Sequence, residues 1–189
     1  MGKQALLVAV IALLLTVLAS AVSVAQDAPA LPEPVQSGMA PVNDIQMYYA
    51  TYGDPANPAL VLLHQCGGLR PVNAVRLNWS MLGWAKEAVS RGYVALLLDS
   101  LGPRAVDSVC FGAKNGVNLQ RGVRDALQGL AHLQKLPYVD AKNVYFAGFS
   151  WGAMIGLLSS SASWSEALGE GRHFRSVAVL YPGCFDIHP

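Results

Sequence analysis

Charge is what this sequence has least of. Aspartate, glutamate, lysine and arginine make up 13% of its 189 residues, against roughly a quarter in an average soluble domain. The formal net charge is only +1. Nucleic-acid binding needs a basic patch that neutralises phosphates, so no such partner is implied, nor an acidic surface. Histidine is nearly as scarce, at four residues. His132, His173 and His188 are scattered, and no H-E-x-x-H or paired-cysteine spacing occurs, so no metal is expected. Gly67-Gly68 lacks the lysine of a phosphate-binding loop, and no cofactor is expected. The three cysteines, Cys66, Cys110 and Cys184, allow at most one internal bridge and leave one thiol over. Their pairing stays open.

Long apolar runs are also missing, except at the start. Lys3 precedes an almost wholly apolar stretch, residues 5–19, and small residues ending Ser23-Val24-Ala25 follow. This pattern predicts a secretory signal peptide over residues 1–25, and hence a secreted or periplasmic protein. The competing reading is an uncleaved anchor, because residues 5–25 are about as long as a bilayer-spanning helix needs. Ser20, Ser23 and the small-residue exit favour cleavage, and a membrane is a partner only if the leader stays on. Residues 26–40 contain Pro32, Pro34 and Gly38 without apolar periodicity, which predicts a flexible tether. Residues 41–189 then form one domain.

Within that domain, strand-like and helix-like patterns alternate. Residues 45–52 read as an early antiparallel strand broken by Gly53-Asp54-Pro55. Residues 59–63 and 93–98 are apolar runs of the buried-strand type, residues 143–149 form a third strand, and residues 175–181 alternate. Between them, residues 77–90, 117–136 and 151–161 carry apolar residues at helical spacing. The predicted fold class is α/β, a mostly parallel sheet with helices on both faces and right-handed crossovers.

Gly148-Phe149-Ser150-Trp151-Gly152 lies where the third parallel strand hands over to a helix, and that context gives a weak pattern its weight. A nucleophile on such a turn takes a strained backbone while neighbouring segments press close, so the flanking positions need residues without a Cβ. Ser150 is therefore the candidate nucleophile. The amide of Trp151, at the helix start, is one candidate oxyanion donor. His64-Gln65-Cys66-Gly67-Gly68 directly follows the first parallel strand, and the amide of Cys66 is the second. His64 precedes the nucleophile and reads as a brace for that loop rather than a base. Arg104, in Asp99-Ser100-Leu101-Gly102-Pro103-Arg104 at the end of the second parallel strand, is a candidate to orient a substrate carbonyl or carboxylate. A loop salt bridge with Asp99 or Asp107 is the competing reading.

These segments, Leu63-His64-Gln65-Cys66-Gly67-Gly68-Leu69, the run from Asp99 to Arg104, Gly148-Phe149-Ser150-Trp151-Gly152 and Tyr181-Pro182-Gly183-Cys184, together resemble the dienelactone hydrolase family over residues 45–184. The resemblance implies an α/β-hydrolase that cleaves carboxylic esters, lactones among them. The family's best-known members carry a cysteine nucleophile and a glutamate in the oxyanion loop. Ser150 and Gln65 stand at those places here, which implies a serine-bearing branch and makes Gln65 a candidate substrate contact. A serine needs a histidine to activate it.

The expected chain order is serine, then an acid, then a histidine, and family members run on for a strand, a helix and a strand beyond the Tyr181-Pro182-Gly183-Cys184 segment. Downstream of Ser150, His173 precedes the last strand, at the wrong end of the sheet. Asp186 and His188 are in the right order but only two residues apart on a terminus, where such a pair is poorly held. The expectation is a sequence incomplete at its C-terminus, its acid and base lying beyond Pro189. Three functions follow: a small-ester or lactone hydrolase working through an acyl-enzyme on Ser150, a non-catalytic ligand-binding domain of the same fold, and an acyltransferase or peptidase on the same scaffold.

Overall fold

Short, largely apolar runs, too short for helices, build the parallel strands of a six-stranded sheet. The computed structural model describes residues 33–42, 45–52, 57–70 and 77–183. The expected leader, most of the tether, Cys184, Asp186 and His188 lie outside the described residues. The strands are β1 (Gln36–Val42), β2 (Ile45–Tyr52), β3 (Ala59–Leu63), β4 (Val94–Leu98), β5 (Val144–Phe149) and β6 (Val177–Leu180). Their spatial order is β1-β2-β4-β3-β5-β6. β1 and β2 are antiparallel to their neighbours, while β4, β3, β5 and β6 run parallel.

The helices are α1 (Trp79–Ser90), α2 (Leu119–Leu133), α3 (Trp151–Ser159) and α4 (Ala162–Gly169), with a 3-10 turn at Gly102–Arg104. Asparagine starts the first two. The Asn78 side chain accepts from the Ser80 amide and that of Asn118 from the Arg121 amide, satisfying donors that have no partner within the helix. In α2 the residues Val123, Ala126, Leu127, Leu130 and Leu133 recur at three and four positions and are all buried; this is the stripe a core-facing helix requires.

Because alternate strand residues face opposite sides, the core divides in two. Val61 and Leu63 of β3, Leu96 and Leu98 of β4 and Phe146 of β5 pack in one cluster with the buried residues of α2 and with Ile155 and Met154 of α3. On the other side Leu62, Leu97 and Phe149 are buried, and Trp84 of α1 sets its ring 5.2 Å from that of Phe149. The carboxyl ends of β3, β4 and β5 share one edge of the sheet, the position at which open α/β folds collect their ligands.

Two elements depart from the sequence expectation. The tether does not stay irregular as far as Ala40, since residues 36–42 form β1 and pair in continuous register with β2. Residues 162–169, for which no element is expected from the sequence, form α4; Trp164 and Leu168 pack against the core cluster. The fold places Phe146 at the centre of the larger core, 1% exposed, with its ring 5.0 Å from Phe174. Phe146→Ala is expected to destabilise the protein by about 3–5 kcal/mol, read as a lowered midpoint in urea denaturation; a loss below about 1 kcal/mol would contradict this packing.

Candidate active site

The chain leaves β5 and enters α3 in a single residue. Ser150 has φ 53° and ψ −111°, a left-handed conformation that costs a non-glycine residue about 1–3 kcal/mol and persists only where surrounding structure enforces it. Both flanking glycines show what enforces it. A Cβ on Gly148 would sit 2.1 Å from the carbonyl oxygen of Gly152, and one on Gly152 would sit 2.5 Å from the Leu63 oxygen and 2.7 Å from the His64 oxygen. The Ser150 amide donates to the Leu180 carbonyl of β6 at 3.0 Å, and its own carbonyl accepts from the amides of Ala153 and Met154. Its side chain makes no capping bond to the helix it precedes.

Ser150 borders a cleft of about 460 Å³ together with Cys66, Trp151, Val117, Asn118 and Met154. Trp151 is the first residue of α3, where the leading amides have no partner within the helix and the helix dipole is positive. Cys66 sits inside a turn closed by the Gly68 amide bonding to the Gln65 carbonyl at 3.0 Å, with Gly68 at φ 84°. The two residues expected to hold an oxyanion thus lie on the walls of the cleft that Ser150 borders. Cys66 is disulfide-bonded to Cys110, and its carbonyl accepts from the Val109 amide at 2.9 Å. The loop of Cys66 and the segment that supplies much of the cleft wall are therefore joined twice.

His64 is fully buried. Its Nε2 accepts the Ser100 amide at 3.2 Å, so the proton lies on Nδ1, which donates to the Gln65 carbonyl at 2.7 Å. The ring stacks on that of Trp151 at 5.7 Å. Desolvation pushes its pKa below the ordinary histidine value, against the opposing pull of Asp99, whose Oδ1 lies 4.0 Å from Nε2. His64 is a neutral tie between the ends of β3 and β4 and the first residue of α3.

The remaining candidates separate from the cleft. Arg104 pairs neither with Asp99 nor with Asp107: its guanidinium bonds both carboxylate oxygens of Asp125 on α2, at 2.7 and 2.8 Å, and the Ser100 carbonyl at 2.7 Å. Its side chain is 8% exposed and that of Asp125 0%, so Arg104 does not face a substrate. Gln65 is held at the start of α1, accepting from Asn78 and donating to the Ser80 hydroxyl, and is not on the cleft wall. His173 lies 3.5 Å from the Ser165 hydroxyl and borders a hollow with Val144, at the far end of β5. Among the described residues no histidine or carboxylate lines the cleft. Asn118, Val117 and Met154 were not anticipated as cleft residues. Asn118 could have been noticed from its place before the amphipathic run of α2.

No protein-family model matches the sequence, and no curated protein matches it significantly. Solved structures do match. A dienelactone hydrolase-like promiscuous phosphotriesterase from metagenomic libraries superposes with a TM-score of 0.61 at 15% identity, over 81% of this chain and 61% of that one. A thermophilic esterase from the planctomycete Thermogutta terrifontis gives 0.53 at 13% identity, over 82% of this chain and 55% of the other. Est1E from Butyrivibrio proteoclasticus gives 0.52 at 14%, over 77% and 51%. The fold is that of the α/β-hydrolases, and the chain spans 61% of the first of these structures.

Two consequences of this geometry are measurable. Gly148→Ala is expected to destabilise by about 3 kcal/mol or more, since the clashing atom is backbone and cannot step aside; wild-type stability in chemical denaturation would refute the close approach. The depressed pKa of His64 means that the unfolded chain binds a proton from about pH 6.5 downward while the folded protein resists it. Stability present above that pH is lost as pH falls below it, at up to about 1.4 kcal/mol per pH unit. His132, also depressed by burial and by Lys135, acts in the same window. The test is therefore the difference between parent and His64→Asn: the variant is expected to be less stable at pH 8 and to show a shallower decline from pH 6.5 to 5, and parallel curves would contradict the assignment.

Proposed function

We propose that this protein is an exported serine hydrolase of the dienelactone hydrolase type that cleaves small carboxylic esters or lactones through an acyl-enzyme on Ser150. The observation that carries the reading is the strained backbone of Ser150 at the head of α3, held between two glycines at which an added Cβ would collide with backbone. Strain kept at one residue beside a cleft is characteristic of functional sites. The family resemblance of the four motifs and the α/β-hydrolase fold support it.

In this mechanism the Ser150 Oγ attacks the acyl carbon, its proton passes to a base, and the carbonyl oxygen gains the negative charge. The amides of Cys66 and Trp151 hold that oxyanion, a contribution typically worth about 10²–10³ in rate for each donor. Collapse expels the alcohol, which takes the proton, and leaves an ester on Ser150 that water then hydrolyses to the acid. Among the described residues no histidine or carboxylate that could act as this base lines the cleft. The signal-peptide pattern read in the sequence of residues 1–25 supports export.

A second reading, a ligand-binding domain without turnover, is favoured by the absence of a histidine or carboxylate on the cleft wall among the described residues. A fluorophosphonate probe separates the two. Covalent labelling that disappears in Ser150→Ala, with ester turnover lowered at least about 10³-fold, is the outcome expected of the hydrolase. An unlabelled Ser150 in the folded full-length protein would leave the binding reading.

A further inference from the structure

We infer that the cleft beside Ser150 selects an uncharged, apolar acyl group and rejects esters whose acyl part carries a carboxylate. This rests on the proposed role of Ser150 and goes beyond it to the class of substrate.

The cleft walls are Val109, Val117, Leu119, Trp151 and Met154 on the apolar side, with Asn118 and the Ser150 hydroxyl among the polar groups. Among the described residues no lysine, arginine or histidine side chain reaches the wall. Nearby cations are engaged elsewhere or border another hollow. Arg104, close in sequence to the carboxyl end of β4, is locked to Asp125 in the interior; turning it toward a substrate would strand a fully buried carboxylate, a strongly unfavourable exchange. Lys114, next to the cleft residue Ala113, is ion-paired with Asp107. Arg121 and Arg124 border a second, smaller hollow that shares only Asn118 with the cleft.

A carboxylate entering such a cleft would lose water and meet no cationic side chain among the described residues, only the partial positive charge at the starts of α2 and α3, which offsets a small part of the cost of burying a charge. A methylene would be favoured there instead. Burial of each added methylene is expected to raise kcat/KM about fourfold until the cleft is filled, and a cleft of about 460 Å³ falls within the usual range for small-molecule sites.

The test compares p-nitrophenyl acetate, butyrate and hexanoate with mono-p-nitrophenyl succinate, on the full chain. Rising kcat/KM along the neutral series, with the succinate monoester about a hundredfold or more below butyrate, supports the inference; a succinate monoester hydrolysed within about tenfold of butyrate overturns it. Ala113→Arg places a cation on an exposed part of the wall and is expected to raise the succinate-to-butyrate ratio about tenfold; an unmoved ratio counts against the cleft as the acyl site. Binding of the unreactive pair 2-heptanone and 6-oxoheptanoate, followed by NMR shifts of Met154 and Val117, gives a readout free of catalysis. The neutral ketone is expected to shift these signals and the keto acid not to. That discrimination with Ser150 unlabelled by fluorophosphonate would sink the hydrolase reading alone, whereas equal binding of the two ketones with Ser150 labelled would sink this inference alone.

Discussion

The site depends on how closely the start of α3 approaches the end of β3. At Gly152 the helix backbone lies so near the carbonyls of Leu63 and His64 that a single methyl group would collide with both. With the helix seated there, the link from β5 has one residue in which to reverse, and Ser150 must take a left-handed conformation. The strain is local and its support is distributed. Ile155 and Met154 anchor the helix in the main core, and the Leu180 carbonyl of β6 takes the Ser150 amide. No contact made by the serine side chain itself is needed to hold it there.

Around that corner, three strand ends are fastened to one another by groups that stay uncharged or are internally paired. His64 joins β3 to the Ser100 amide at the end of β4 and stacks on Trp151. Because the ring is neutral, it accepts that backbone donor without bringing a charge beneath the cleft. The Cys66–Cys110 bridge closes a separation of 44 residues. In the chain-entropy account such a closure removes about 4 kcal/mol of freedom from the unfolded chain. It also fixes the loop of Cys66 against the cleft wall, so the two cannot drift independently.

Much of this was legible in the sequence because it follows from local rules. Buried parallel strands show as unbroken aliphatic runs, α2 as a stripe at three and four residues, and the corner at Ser150 as a glycine-flanked serine where one pattern gives way to the other. What escaped was decided by partners distant in sequence. β1 contains Gly38 and Pro41, carries no strand signal of its own, and is ordered by pairing with β2. α4 is a short helix whose order comes from packing Trp164 and Leu168 on the core. Three cysteines allow three pairings, and nothing in their spacing selects one. The partner of Arg104 did leave a trace: Asp125 interrupts the apolar stripe of α2 on its buried side, and a buried carboxylate requires a paired cation.

That Arg104–Asp125 pair links the sparse charge of the sequence to the chemistry of the site. A buried ion pair contributes little net stability compared with apolar residues of the same shape, yet breaking it costs about 3–5 kcal/mol. Its effect is therefore to hold geometry: it fixes α2 against the turn after β4, through the Ser100 carbonyl as well as through Asp125. Asn118 and Leu119, at the head of α2, are cleft residues, so the position of the cleft wall follows from an interaction buried away from it. A guanidinium held in this way is withdrawn from recognition. The arginine that the sequence offers as a substrate contact helps set the shape of the cleft, and the wall it positions, Asn118 and Leu119, carries no charged side chain.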